Sequence, residues 1–258
     1  LAQTFNHLSQ QLNKALEENK REERNRKDFV ANVSHELRTP LTTMKSYLEA
    51  LADGVLADPE LGPKFLKVIQ RETDRMIRLV NDLLLLSRMD TKKYPMHTQP
   101  TDIKRLLKEV VERYRVHVKQ RDLQIRLNIE SDLPIVELNR DHLIQVLDNL
   151  LSNAIKYSND HGQIYLTARV EDSVLYLSIK DEGVGIPKEE QEHVFKRFYR
   201  VDKARSREMG GTGLGLAIAK EMILAMDGEI GLESEPNKGT LVWLRIPLHP
   251  DKGEDKHD

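Results

Sequence analysis

Cysteine is absent from these 258 residues. That absence excludes disulfide frameworks, thiolate zinc fingers, iron–sulfur sites and thiol nucleophiles, and it fits a reducing compartment. Aromatic residues are scarce, at 5% against 32% charged and 39% hydrophobic, a balance that favours long solvated helices over an aromatic-rich β-sandwich. Neither sign of charge dominates: 40 Lys and Arg against 42 Asp and Glu leave a formal charge of −2, which offers no footprint for nucleic acid. No run approaches the roughly 18 apolar residues of a membrane span, and no charged, apolar, then small-residue leader opens the chain. The chain reads as soluble as it stands, and Leu1, in place of Met, reads as a cut start inside an apolar repeat. The length suits two compact units, or one with an appendage.

What is present begins with heptads. Leu1, Phe5, Leu8, Leu12 and Ala15 alternate at spacings of four and three, then Asn19, Glu22 and Arg26, then Phe29 and Val33. Residues 1–27 are therefore expected to form a parallel signalling coiled coil with a polar middle, a place where a signal loosens or tightens the helices. The plainer alternative is a short free helix whose KREERNRKD run is simply solvated. From Asp28 to about Leu56 the stripe Val30, Val33, Leu37, Leu41, Met44, Leu48, Leu51 and Val55 continues at helical spacing. Gly54, Asp58-Pro59 and Gly62-Pro63 close it. A second helix should run to about Asp90 with Phe65, Ile69, Met76, Leu79, Leu83 and Leu86 inward, and with Arg71, Glu72, Asp74 and Arg75 outward. Such an αα-hairpin has too wide an apolar face for its own partner helix to cover. Residues 28–94 are thus expected to pair with a second copy as a dimeric antiparallel four-helix bundle.

Residues 91–100 have no period and carry Pro95 and Pro100, so they read as a linker. After them the pattern predicts a helix over 102–120, strands near 123–129 and 135–138, and a helix over 140–157. A hairpin of 163–170 with 174–181, a helix over 214–226, and strands near 229–235 and 240–248 complete it. Mixed strands with alternating inward residues and three helices argue for a two-layer α/β sandwich over residues 95–250. The polar tail 251–258 reads as disordered.

Chemistry-bearing residues concentrate in four places. In FVANVSHELRTPLT, His35 lies off the buried seam, shares a helix face with Thr39, and is followed by Glu36. An exposed imidazole beside a carboxylate is a nucleophile with a base at hand. Pro40 supplies no N–H to the carbonyl of Glu36, so a bend is expected within a turn of His35. In DHLIQVLDNLLSNAIKYS, Asn149, Asn153 and Lys156 recur on one face at spacings of four and three. Asn153 can offer a carbonyl oxygen to Mg²⁺, Lys156 can reach phosphate or ribose, and Tyr157 can flank a base; on spacing alone a solvated polar face fits equally well. Six of the thirteen glycines fall in Asp181-Glu182-Gly183-Val184-Gly185 and Gly210-Gly211-Thr212-Gly213-Leu214-Gly215. Glycines and a helix N-terminus suit phosphate, and an Asp at a strand end can accept from an adenine amino group. Neither spacing is a Walker A loop, and each alone is weak. Between them, FYRVDKARSREMGG, with Arg200, Lys203, Arg205 and Arg207, reads as a lid that orders on a triphosphate.

Together and in this order, the four pieces resemble the sensor histidine kinases of bacterial two-component systems, and FVANVSHELRTPLTTMKSYLEAL looks most like the WalK (VicK, YycG) branch. The resemblance spans Asp28 to Pro247. It implies a dimerisation and histidine-phosphotransfer bundle followed by a Bergerat-type (GHKL) ATP-binding domain, like that of gyrase B and MutL. By that resemblance His35 is the phosphoacceptor, Glu36 its acid–base partner, and Thr39 the group that positions water in a phosphatase reaction. Asn153 matches a Mg²⁺ ligand, Asn149 and Lys156 phosphate and ribose contacts, Tyr157 an adenine neighbour, and Asp181 the reader of the adenine amino group. Gly183, Gly185, Gly211, Gly213 and Gly215, beside Leu214, match the nucleotide loops. Arg200 matches a contact to the terminal phosphate, and Thr240 a support for Asp181. Glu182 stands where the family often has Asn; its side chain is expected to point away from the base. The implied cofactors are ATP and Mg²⁺, the implied partner is a response regulator, and the implied setting is the cytoplasmic portion of a membrane sensor. In the related ATPases a glutamate stands at the position of Asn149. A neutral amide cannot take a proton from water, which favours a kinase over a GHKL-type ATPase. A degenerate signalling scaffold is the remaining rival.

Overall fold

The computed structural model describes residues 2–89, 97–202 and 211–248. Contacts group the chain into two units, Leu1–Arg78 and Leu79–Asp258.

In the first unit, helix α1 (Ala2–Ala52) runs unbroken through the expected coiled-coil and hairpin segments, because Pro40 is the one breaker before Gly54. Around Pro40 the hydroxyls of Ser34, Thr39, Thr42 and Thr43 fold back onto the carbonyls of Val30, His35, Arg38 and Thr39 at 2.9–3.1 Å. Hydroxyls four residues on thus share the helix's carbonyls with its own ladder. Gly54, at φ 109°, ends the helix in the left-handed conformation, and a 3-10 turn at Val55–Ala57 follows. Asp58 Oδ1 then accepts the backbone N–H groups of Glu60 and Leu61 at 2.8 and 2.9 Å, capping α2 (Leu61–Met89). Those two donors hold the Asp58 carboxyl below its ordinary value.

The helices of this unit meet through Tyr47 edge-on to Phe65, ring centroids 4.6 Å apart, and Leu51 is buried. The expected inward stripe is only partly covered. Val30, Leu41 and Leu48 remain 58%, 51% and 54% exposed. The outward assignment of Glu72 and Arg75 is corrected: both are buried, at 8% and 5% exposure. Spacing of charges along one helix could not reveal that a carboxylate on the other helix awaited them.

The second unit holds the rest of α2, where Leu79 and Leu86 are buried, and an α/β sandwich. Strands β2 (Gln124–Ile129), β4 (Gln163–Glu171), β5 (Val174–Asp181), β6 (Glu229–Glu235) and β7 (Gly239–Pro247) form one sheet in the order β2-β4-β5-β7-β6. Only β2 and β4 are parallel; the other pairs are antiparallel. The β4–β5 hairpin closes through Asp172 and Ser173, both at positive φ (49° and 60°), the turn hand that suits the twist of paired strands. A separate pair, β1 (Gln99–Asp102) with β3 (Ile135–Leu138), was not foreseen; it draws Gln99 and Pro100 out of the expected linker.

Helices α3 (Ile103–Arg113), α5 (Arg140–Tyr157) and α7 (Gly215–Ala225) supply the core against the strands. Leu107, Val110, Leu143, Val146, Leu151, Ile164, Leu166, Leu175, Ile218 and Ile223 are all at 0% exposure. The single helix expected over 102–120 is two, α3 and α4 (Arg115–Gln120), divided at Tyr114, whose hydroxyl donates to the Asp148 carbonyl at 3.2 Å. A short α6 (Lys188–Gln191) follows β5. Most of the expected linker, the basic stretch 203–210 and the tail 251–258 lie outside the described residues.

Candidate functional site

Two sets of residues carry the chemistry, one in each unit. On α1 the side chain of His35 is 62% exposed, and its Nδ1 lies 4.0 Å from Glu36 Oε1. That separation is an electrostatic contact rather than a hydrogen bond. Consecutive positions on a helix diverge by about 100°, so Glu36 turns inward, 13% exposed, while His35 faces solvent. The other oxygen of Glu36 is taken: Arg75 Nη2 donates to Oε2 at 2.8 Å. Thr39 donates its hydroxyl to the His35 carbonyl at 3.1 Å, on the same face of the helix.

In the sandwich, Asp181 ends β5 at 7% exposure. Its Oδ1 accepts the backbone N–H of Gly183 at 2.9 Å and that of Thr240 at 3.2 Å. Burial pushes the Asp181 carboxyl up to about 6, against the opposing pull of those two donors. The expected support from Thr240 is thus a backbone one, while its hydroxyl meets Ser234 Oγ at 2.8 Å. Ser234 also accepts from Ile186 N at 2.8 Å and donates to the Gly239 carbonyl at 2.9 Å, tying the glycine loop to the β6–β7 turn. Gly185 and Gly239 stand at φ 66° and 98°, and a Cβ at either would lie 2.1 or 1.9 Å from the carbonyl oxygen of Glu235 or Asp181. No side chain fits those two positions. Ser234 and Gly239 were not singled out from the sequence; NKGT, with Asn237 also at positive φ, was the available sign.

Helix α5 carries Asn149, Asn153, Lys156 and Tyr157 in its C-terminal half. The carbonyl of Tyr157 accepts Val184 N at 3.3 Å, and Ser158 bridges to Gly183. Lys156 Nζ lies 5.0 Å from the centroid of the Tyr157 ring. Asn149 Nδ2 donates to the Gly215 carbonyl at 3.1 Å, joining α5 to the first turn of α7. Gly213, at φ 74°, accepts Phe198 N at 2.8 Å, and Arg200 Nη2 donates to the Gly211 carbonyl at 2.7 Å. Leu214 is fully buried just ahead of α7. Glu182 points as expected, away from this cradle: its Oε2 accepts the backbone N–H of Gln163 at 3.2 Å. Arg121 was missed. It donates to the carbonyls of Ile155, Lys156 (3.3 Å) and Ser158 (2.8 Å) and to Asp160, closing the C-terminal turn of α5 under Lys156 and Tyr157.

These residues fit a purine nucleotide with Mg²⁺. A buried carboxylate with one oxygen fixed by two N–H groups leaves its other oxygen to accept from an exocyclic amine. Among the described residues no three His, Cys, Asp or Glu side chains gather to cage a metal. The amide oxygen of Asn153 is a hard oxygen donor of the kind Mg²⁺ accepts, with phosphate oxygens and water to complete a shell.

Comparison with known proteins agrees. The His Kinase A (phospho-acceptor) domain matches residues 25–92, and the histidine kinase-, DNA gyrase B- and HSP90-like ATPase domain matches residues 138–250. The chain belongs to the sensor histidine kinase family. It is 50% identical over 240 residues to the sensor histidine kinase WalK of Bacillus subtilis, covering 92% of this chain and 39% of that protein. With a sensor protein kinase WalK of Staphylococcus aureus it shares 45% over 229 residues, 87% of this chain and 54% of that one. The chain therefore spans about two fifths to one half of these two relatives. Among solved structures, the Acinetobacter baumannii histidine kinase AdeS superposes with a TM-score of 0.70 at 28% identity, over 84% of this chain and 98% of that one. The histidine kinase ThkA, in complex with the response regulator protein TrrA, superposes at 0.72 and 25% identity, over 87% of this chain and 62% of that one. In family terms, the exposed histidine lies inside the phospho-acceptor match, and Asp181 with its glycine loops lies inside the ATPase match.

Proposed function

We propose that this chain transfers the γ-phosphoryl group of ATP to His35, passes it on to an aspartate of a response regulator, and hydrolyses the regulator's phosphoryl group with the help of Thr39. Residues 28–94 would be the dimerising phosphotransfer hairpin, residues 95–250 the catalytic domain and residues 1–27 the signalling helix. The whole would be the cytoplasmic portion of a membrane sensor that acts as a homodimer. No helix among the described residues is long and apolar enough to cross a membrane.

The observation that carries the reading is the exposed imidazole with a carboxylate against one of its nitrogens. Nδ1 is the nitrogen 4.0 Å from Glu36, which assigns Nε2 as the nucleophile. The Nε2 lone pair forms the bond to phosphorus, the bond to the ADP oxygen breaks with its electron pair leaving on ADP, and Glu36 receives the Nδ1 proton. Asp181 and Tyr157 hold the base, Lys156 and the α7 N-terminus hold phosphates, and Arg200 reaches the terminal phosphate once it leaves the Gly211 carbonyl. Mg²⁺ on Asn153 would neutralise developing phosphate charge. Asn149 is a neutral amide already engaged with Gly215, so it neither activates water nor competes with His35 for the phosphoryl group. Incubation with γ-labelled ATP should yield protein-bound label that acid removes and alkali spares. Label that survives acid, or turnover unaffected by His35→Gln, would overturn the assignment in favour of Ser/Thr modification or a plain ATPase.

A further inference from the structure

The histidine reaction just proposed needs Glu36 to aim a carboxylate oxygen at a ring on its own helix neighbour, and the helix does not make that easy. Glu36 projects toward α2 and His35 away from it. A glutamate has three rotatable bonds, and in solution most of its rotamers would point the carboxylate elsewhere. Here the carboxylate is held at one end. Arg75 Nη2 grips Oε2 at 2.8 Å, and the second oxygen, Oε1, is the one that lies 4.0 Å from His35 Nδ1.

Arg75 is itself held. Its Nη1 lies 3.6 Å from Glu72 Oε2, one helical turn back, and its side chain is only 6% exposed. Arg71 approaches the other oxygen of Glu72 at 3.5 Å from the solvent side. The four groups, two carboxylates and two guanidiniums, are electrically neutral as a set. A buried ion pair of this kind is poor evidence for stability, since well-packed apolar side chains often do as well in its place. What apolar side chains cannot do is orient a carboxylate. Arg can do so because its planar fork presents paired donors at fixed angles, and a Lys ammonium offers only a point charge.

We propose that Arg75 is a positioning residue for the phosphotransfer: it locks Glu36 in the rotamer that turns Oε1 toward the His35 ring, and Glu72 locks Arg75. Its partners are the carboxylates of Glu36 and Glu72, so its effect runs through Glu36. The rate of His35 labelling should therefore fall while the KM for ATP does not change, and the fall should vanish when Glu36 is already disabled.

The test is single-turnover autophosphorylation of the purified chain with γ-labelled ATP, for Arg75→Met, Arg75→Lys, Glu72→Gln, Glu36→Gln and the Arg75→Lys/Glu36→Gln pair, with thermal melts alongside. Arg75→Met removes the cation that Glu36 and Glu72 share, leaving Glu72 with Arg71 alone, and can fail to fold. Arg75→Lys preserves the charge and decides the matter in that event. The expected result is a tenfold or greater loss of rate for Arg75→Lys at unchanged KM, a smaller loss for Glu72→Gln, and a double variant no slower than Glu36→Gln alone. Arg75→Lys at the unmodified rate, a raised KM, or a double variant slower by the product of both losses would overturn the proposal. A native chain that does not label His35 at all would instead remove the functional reading on which this inference rests.

Discussion

The hairpin and the sandwich bury apolar surface in opposite ways. In the sandwich, ten large residues from α3, α5, α7 and the sheet reach 0% exposure within one chain. In the hairpin, Val30, Leu41, Leu48, Leu66 and Ile77 are at least 50% exposed, while the charged pair Glu72 and Arg75 is buried. A sheet with helices on one face closes its own core, whereas two helices expose the far side of each. The sandwich closes its own core, and the hairpin leaves an apolar face uncovered. The two carboxylates of the site repeat the contrast. Glu36 is held by the buried guanidinium of Arg75, and its other oxygen lies 4.0 Å from an exposed imidazole. Asp181 is held by two backbone N–H groups in a buried strand end.

That comparison can be broken at several points. The largest effect belongs to the hairpin: His35→Gln should reduce acid-labile labelling more than about a thousandfold while nucleotide binding to the sandwich, measured by titration calorimetry, stays as it was. Loss of both together would deny the division of labour. Next, Leu48→Glu, on the uncovered face of α1, should weaken self-association about tenfold or more in sedimentation equilibrium; an unchanged dimer would show that this face is not the interface.

The sandwich predictions are smaller and concern stability. Gly239→Ala puts a methyl group against the Asp181 carbonyl at positive φ, and should cost about 2–4 kcal/mol in denaturant unfolding. The Asp181 carboxyl, raised from 3.8 to about 6 in the fold, binds its proton more tightly folded than unfolded. Its contribution is fully present below the unfolded value and is lost as pH rises through the folded one. Native stability should therefore fall by at most about 3 kcal/mol between pH 4 and 6 from this group, and Asp181→Asn should flatten that slope. ATP affinity should run the other way, weakening below about pH 6 as the acceptor is protonated. At the bottom of the scale, Lys45 and Glu49 are 3.7 Å apart and mostly exposed; Lys45→Ala should change the melting free energy by less than about 0.5 kcal/mol.

Legibility followed sequence separation. Asn149, Asn153, Lys156 and Tyr157 lie within one helix and the two glycine clusters are contiguous, so they could be seen in the sequence, but spacing alone fitted a solvated polar face equally well and only the order of the four pieces, by resemblance, gave them roles. Gly54 ended the first helix where a breaker was read, while Asp58, read only as a breaker, proved to cap α2, which takes in Gly62 and Pro63. The failures were all pairings at a distance. Glu72 and Arg75 looked like solvated charges because their third partner, Glu36, lies 39 residues before Arg75. Arg121 reaches carbonyls 34 to 37 residues away, and no local pattern announces it. Strand β1 was hidden in a proline-bearing stretch because only its partner β3 makes it a strand.

The amino-acid order alone determined which residues could do chemistry: an imidazole followed by a carboxylate, amides on one helix face, and glycines gathered in two short runs. These depend on chain neighbours, and helix and turn geometry is set by neighbours. Tertiary structure alone decided how those groups are aimed. Arg75 orients Glu36, and Thr240 with Gly183 fixes one oxygen of Asp181, because orientation of a flexible side chain comes from donors brought to it by folding.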